Sequence, residues 1–201
     1  MKIHDISRPI YDGMYVYPGD PQPKFKLDKS IAAGDAYNLT LLDGCVHLGA
    51  HVDAPRHFVA DGDLIGQLDL ENLVGDCRVV DVGEVDVVDR AALEPFAPKK
   101  GERLLIKTKN SDSTHPAHEV QIDISGALYL IDCGVRTVGV DGQSVGTPAK
   151  PVHDAVLGAK VGVIEGLNLA SVEEGEYFLF AAPVNIRDAE GAPCRALLIE
   201  R

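Results

Sequence analysis

The chain has no tryptophan, and its aromatic content is only 5%, so stacking against a ligand falls to Tyr or Phe. Basic residues are scarce too: 19 Lys and Arg stand against 31 Asp and Glu, a net charge of −12. That balance opposes nonspecific attraction to nucleic acid. No apolar run is long enough to span a bilayer, and the opening Met1-Lys2-Ile3-His4-Asp5 lacks the hydrophobic stretch of a signal peptide. A cytoplasmic protein with no membrane or nucleic-acid partner is expected. The four cysteines, at 45, 77, 133 and 194, form no Cys-x-x-Cys pair, which fits a reducing compartment. Cys45 and Cys133 read as packing groups among apolar neighbours, with a supporting role beside His47 open to Cys45. Internal repeats, low-complexity tracts and blocks of like charge are missing as well.

What is present is enough for a core. At 201 residues and 45% hydrophobic, the chain is expected to form one domain over residues 1–201. Period-two and short apolar patterns predict strands at Tyr37–Leu42, Val46–Val52, Arg78–Val82, Leu104–Thr108, Thr137–Val140, Val161–Ile164, Phe178–Ala182 and Ala196–Ile199. Helices are predicted at Asp89–Phe96 and Ile124–Ile131, the second capped by Asp123 and ended by Gly134. Strands outnumber helices, so a mixed α/β fold with a strand-rich centre is expected rather than a doubly wound sheet.

Chemistry concentrates in one segment. His47-Leu-Gly-Ala-His51-Val-Asp53-Ala-Pro-Arg-His57-Phe58 holds three imidazoles and a carboxylate among small or apolar residues and one Arg. In an extended segment His47, His51 and Asp53 share one face. Full extension would still part the Cα atoms of His47 and His51 by roughly 13 Å, so the segment must bend, and Gly49 is placed to allow it. A helix is disfavoured by Gly49 and Pro55. Burying even one unpaired polar group costs on the order of 2 kcal/mol or more, which favours a metal site over a set of core or solvated histidines. Imidazole nitrogen with carboxylate oxygen suits zinc or manganese.

A second constellation lies downstream. Pro151 fits a first helical turn and Gly158 its end, placing His153 early in a short helix; alone, His153 is an ordinary surface or packing residue. Glu165 interrupts the apolar run Val161-Gly-Val-Ile-Glu165-Gly-Leu. A carboxylate there needs either a cation or a salt bridge to Lys or Arg. His4, His115 and His118 carry no site reading, the last two lying in a polar loop where a solvated His is ordinary.

Taken together these residues resemble the cyclase family of metal-dependent hydrolases, which includes bacterial kynurenine formamidase and isatin hydrolase. The pattern His-x-Gly-Thr/Ala-His-x-Asp-x-Pro-x-His is matched from His47 to His57, with Ala50 at the Thr/Ala position. Tyr17-Pro18-Gly19-Asp20-Pro21 is similar to the family's substrate-side loop. Val138-Gly-Val-Asp141 with Ser144, then Pro151-Val-His153 and Glu165-Gly-Leu-Asn-Leu169, complete the likeness. The resemblance implies a swivelling β/β/α arrangement, usually a homodimer or higher oligomer. It implies two divalent ions per subunit, zinc foremost and manganese next: His47, His51 and Asp53 on one, with Asp53 bridging to a second held by His153 and Glu165. His57 is then the acid/base, and Tyr17 and Asp20 face the substrate. The implied reaction is arylformamide hydrolysis, N-formylkynurenine to kynurenine and formate, with a metal-activated water as nucleophile. The alternatives are a hydrolase or cyclase acting on another small carbonyl or an isatin-like cyclic amide, and a noncatalytic metal- or small-acid-binding protein. His57 favours an enzyme, because metal binding alone needs no further group.

Overall fold

In a computed structural model, residues 1–112 and 118–200 are described; His115 lies outside them. Eleven strands and three helices follow in order: β1 (Lys2–Asp5), β2 (Lys24–Lys29), β3 (Leu39–Asp43), β4 (His51–Asp53), β5 (Val74–Asp81), α1 (Arg90–Leu93), β6 (Arg103–Lys107), α2 (Ile124–Asp132), β7 (Thr137–Val140), α3 (Ala149–Gly158), β8 (Gly162–Glu165), β9 (Gly175–Phe180), β10 (Gly191–Pro193) and β11 (Leu197–Glu200). Nine strands form one sheet in the order β1-β11-β9-β5-β6-β7-β8-β4-β10, while β2 and β3 make a separate hairpin. β5, β6, β7 and β8 run parallel. The remaining pairings are antiparallel. This is the mixed α/β, strand-centred architecture that the sequence led us to expect.

Parallel strands need crossovers, and α1, α2 and α3 supply them. Alternation along the strands sorts the core into two faces. Val80, Leu104, Ile106, Val138 and Val163 pack with the helix residues Ala127, Leu130, Val152 and Val156. Val79, Leu105, Ile164 and Leu179 turn the other way, onto Ile6, Leu167, Val172 and Leu198. Asp89 and Asp123 cap α1 and α2, accepting from the Ala92 and Gly126 amides. No helix among the described residues is long and apolar enough to cross a membrane.

Three expectations change. The strand predicted over Val46–Val52 shrinks to β4, because Gly49 takes φ +59 and turns the chain before His51. A Cβ at Gly49 would lie 2.6 Å from the Arg8 carbonyl, and one at Gly166 would lie 2.1 Å from the Gly49 carbonyl. These two glycines let the turn press directly on the end of β8. Strands β1, β2 and β10 are additions to the predicted set. The helix predicted over Asp89–Phe96 is α1 followed by a 3₁₀ turn at Glu94–Phe96, where Pro95 breaks the α ladder.

Candidate metal centre and substrate pocket

β4 is the organiser of the site. Its outer neighbour β10 and inner neighbour β8 hold it antiparallel, and the register sets His51 directly opposite Glu165. Directly opposed residues share a face, so the late glutamate meets the early histidine across the ladder. Asp53, two residues on, points to the same side. Pro55–His57 then forms a 3₁₀ turn that brings His57 back over the strand end. α3 contributes His153 from its first turns. His51, Asp53, His153 and Glu165 are each at most 3% exposed.

The hydrogen bonds fix which ring nitrogen faces inward. His51 Nδ1 lies 3.0 Å from the Gly49 carbonyl, and His153 Nδ1 lies 2.7 Å from the Ala149 carbonyl. A carbonyl only accepts, so each Nδ1 carries a proton and each Nε2 faces the cluster. Imidazoles held by a backbone carbonyl in this way are oriented as metal ligands are. His51 Nε2 lies 3.3 Å from Glu165 Oε2 and 3.5 Å from Asp53 Oδ1. His153 Nε2 lies 3.1 Å from Glu165 Oε1 and 3.6 Å from Asp53 Oδ2. His47 faces the cluster by its other nitrogen: Nδ1 meets Asp53 Oδ1 at 2.9 Å, while Nε2 lies 3.5 Å from Glu190 Oε1.

Nitrogen lone pairs facing carboxylate oxygens repel unless a cation lies between them, and the cluster shows that need. His47 Nε2, His51 Nε2 and Asp53 Oδ2 are buried without a hydrogen-bond partner. With protons alone as the cations, burial works against the imidazolium forms, yet the facing carboxylates push His51 up to about 9 and His153 up to about 10. Against the cost of burial, the imidazoles of His153 and His47 hold Asp53 well below the usual carboxylate range. Burial and the Asp53 charge both oppose ionisation of Glu165, but His153 and His51 outweigh them and lower it. Among the described residues no Lys or Arg pairs with Glu165; besides the imidazoles, the Val145 amide donates to it at 2.6 Å.

The donor set fits a divalent ion. Two donors about 2.1 Å from one tetrahedral ion lie roughly 3.4 Å apart, and the separations above bracket that value. Two sets of donor atoms lie within 4.8 Å of one another: His51, Asp53 and Glu165, and His47, Asp53 and His57. Asp53 belongs to both. His57 therefore stands within ligand reach as well as pocket reach, its ring stacked on His47 at 4.0 Å and edge-on to Phe58 at 4.5 Å. Burial lowers its pKa from the ordinary imidazole value.

A cavity of about 460 Å³ opens onto this cluster, lined by His47, His57, His153 and Glu165 with Tyr17 and Asp20, while His51 and Asp53 are buried in the cluster and do not line it. That volume suits a small organic substrate. Cys45, read as a packing group with a supporting role beside His47 left open, lines this cavity, and its thiol donates to the His47 carbonyl at 3.8 Å. Gln143, Lys150 and Glu190 also line it and were not singled out. Glu190 approaches His47 Nε2 at 3.5 Å from the loop before β10, and its polar surroundings in the sequence hold no local signal. Phe58 could have been found from its place after His57; its ring stacks on His153 at 4.3 Å.

Comparison with known proteins agrees with this geometry. The Cyclase family model matches residues 4–147. Kynurenine formamidase of Bacillus cereus is 32% identical, with 96% of this chain and 95% of that protein aligned; the enzyme of the same name from Bacillus mycoides gives the same figures. Among solved structures, a "predicted metal-dependent hydrolase" from Bacillus stearothermophilus superposes with a TM-score of 0.89 at 34% identity, covering 100% of this chain and 98% of the other. Isatin hydrolase A from Labrenzia aggregata shares the fold at a TM-score of 0.84 and 19% identity, covering 100% and 94%. The family model spans well over half the sequence and includes the His47–His57 segment, whose histidines and Asp53 fold into the buried cluster: the chain belongs to the cyclase family.

Proposed function

We propose that the chain is a metal-dependent amidohydrolase acting on a small aryl formamide, foremost N-formylkynurenine, which it hydrolyses to kynurenine and formate. The carrying observation is the cluster itself: His51 and His153 by Nε2 and His47 by Nδ1, turned toward the carboxylates of Asp53 and Glu165 at the back of a substrate-sized cavity, with His57 beside them. The formamidase names of the relatives at 32% identity support the choice of substrate.

His47, His51 and Asp53 would hold one ion, and Asp53, His153 and Glu165 a second. Zinc suits these ligands best and manganese next. When bound, such ions lower the pKa of water and polarise the amide carbonyl. The residues do the rest. His57 accepts the proton that water loses on attacking the formyl carbon, then delivers it to the amide nitrogen as the C–N bond breaks. Its lowered pKa keeps it neutral, and so able to accept, near pH 7. Tyr17 offers a ring face to the aryl group, and Asp20 a carboxylate to its ammonium. The working form is a cytoplasmic homodimer or higher homo-oligomer.

The test is direct comparison of substrates on the metal-loaded protein, reading arylamine and formate release from N-formylkynurenine beside ring opening of isatin. The formamide is expected to be preferred by about 100-fold in kcat/KM, the scale on which pocket shape discriminates. Isatin as the better substrate would overturn the formamidase assignment, and hydrolysis of neither would favour a binding protein.

A further inference from the structure

The proposed substrate is an α-amino acid as well as a formamide, so it brings a carboxylate and an ammonium into a cavity whose histidine–carboxylate cluster is committed to the formyl group. The ammonium has Asp20 to face. The carboxylate needs a cation, and a net charge of −12 opposes its approach without one. Three acids, Asp20, Glu165 and Glu190, line the cavity, and Lys150 is the one Lys or Arg among the described residues that does. Lys150 lies in the first turn of α3, three residues before His153, and residues three apart on a helix are neighbours on one face. It thus stands about one turn, roughly 5 Å along the axis, from the imidazole that faces the cluster. The carboxylate of N-formylkynurenine is several bonds from the formyl carbon, so a group that holds it has to stand back from the reacting centre by such a distance. Without a ligand, the Lys150 ammonium rests on Asp154 at 2.7 and 2.9 Å. The two side chains are 71% and 43% exposed, and an ion pair so open to water holds its partners weakly. Lys150 is able to exchange Asp154 for a ligand's carboxylate.

We infer that Lys150 is a specificity-determining residue: its ammonium takes the α-carboxylate of the substrate while Asp20 takes the α-ammonium, so the cavity selects amino-acid formamides over neutral aryl formamides. The inference rests on the formamidase reading and deepens it. Two opposite charges on the cavity wall match the two ends of a zwitterion, whereas a neutral aryl formamide leaves both solvated and gains nothing from them. Asp154 competes for the same ammonium and so sets how strongly Lys150 holds a ligand.

The test measures binding and turnover on the metal-loaded protein. Binding is read by calorimetry with kynurenine and with 2-aminoacetophenone, which keeps the aryl ketone and lacks the amino-acid end, and turnover compares the two corresponding formamides. The wild type is expected to bind kynurenine about 30-fold more tightly than 2-aminoacetophenone, the scale of two charge-assisted contacts at a partly open site, and to show the same preference in KM. Lys150→Met, which keeps the aliphatic stem, should cut that margin about 10-fold. Lys150→Arg should keep most of it, and Asp154→Asn, by releasing the ammonium, should widen it about 2-fold. An equal margin in wild type and Lys150→Met overturns the inference. So does a parallel loss of affinity for both ligands, which would make the lysine structural. Turnover of neither formamide by the wild type overturns the substrate reading instead, and the binding margin then still decides for or against Lys150.

Discussion

Replacing Asp53 with Asn is expected to remove most of the bound metal and to lower turnover by about 1,000-fold or more. Asn keeps the shape of the side chain, so Val52 and the ladder to Gly191 and Val163 are undisturbed. What it loses is charge at the one residue common to both groups of donor atoms. Neutralising a shared ligand weakens both ions together, and several kcal/mol of transition-state stabilisation goes with them. Elemental analysis read beside the rate of formamide hydrolysis checks this. Equal metal content in the two proteins would show that Asp53 bridges nothing.

His57→Ala should behave differently, keeping its metal while kcat falls between about 100-fold and 10,000-fold, the range that general acid–base catalysis supplies. The contrast matters because His57 stands close enough to His47 and Asp53 to act as a ligand. Its neighbours otherwise suit proton transfer: the stacked His47 ring and the edge-on Phe58 hold the imidazole at the cavity wall. Loss of metal in parallel with activity would make His57 a ligand, and a wild-type kcat would make it a bystander.

The cluster was legible because its histidines and carboxylates sit at short, unusual spacings among apolar residues, where burying them unpaired is costly. Its construction was less so. Parity brought His51 and Asp53 to one side, but His47 arrives through the turn at Gly49, whose positive φ is set by contact with Arg8 and the end of β8. That contact joins residues far apart in sequence. Glu165 left two readings open in the sequence, and the β4–β8 register sets it opposite His51, with no Lys or Arg paired to it among the described residues. Buried parallel strands such as Thr137–Val140 were readable from their own apolar runs. β1, with Lys2, His4 and Asp5, and β10, bounded by Gly191 and Pro193, lack strand propensity and form because a neighbour pairs with them. The hairpin partner β2 was hidden for the same reason, its lysines giving Lys24–Lys29 the look of a solvated segment.

The account stands most directly on metal dependence at this cluster, and one titration tests it. Protein stripped with a chelator and exchanged into metal-free buffer should hydrolyse N-formylkynurenine at a negligible rate. Stepwise addition of zinc, with bound metal and turnover measured on the same samples, should restore activity up to a break at about two equivalents per chain, one for each of the two proposed ligand sets that share Asp53. Stripped protein that hydrolyses the formamide as fast as the reloaded enzyme would contradict the account.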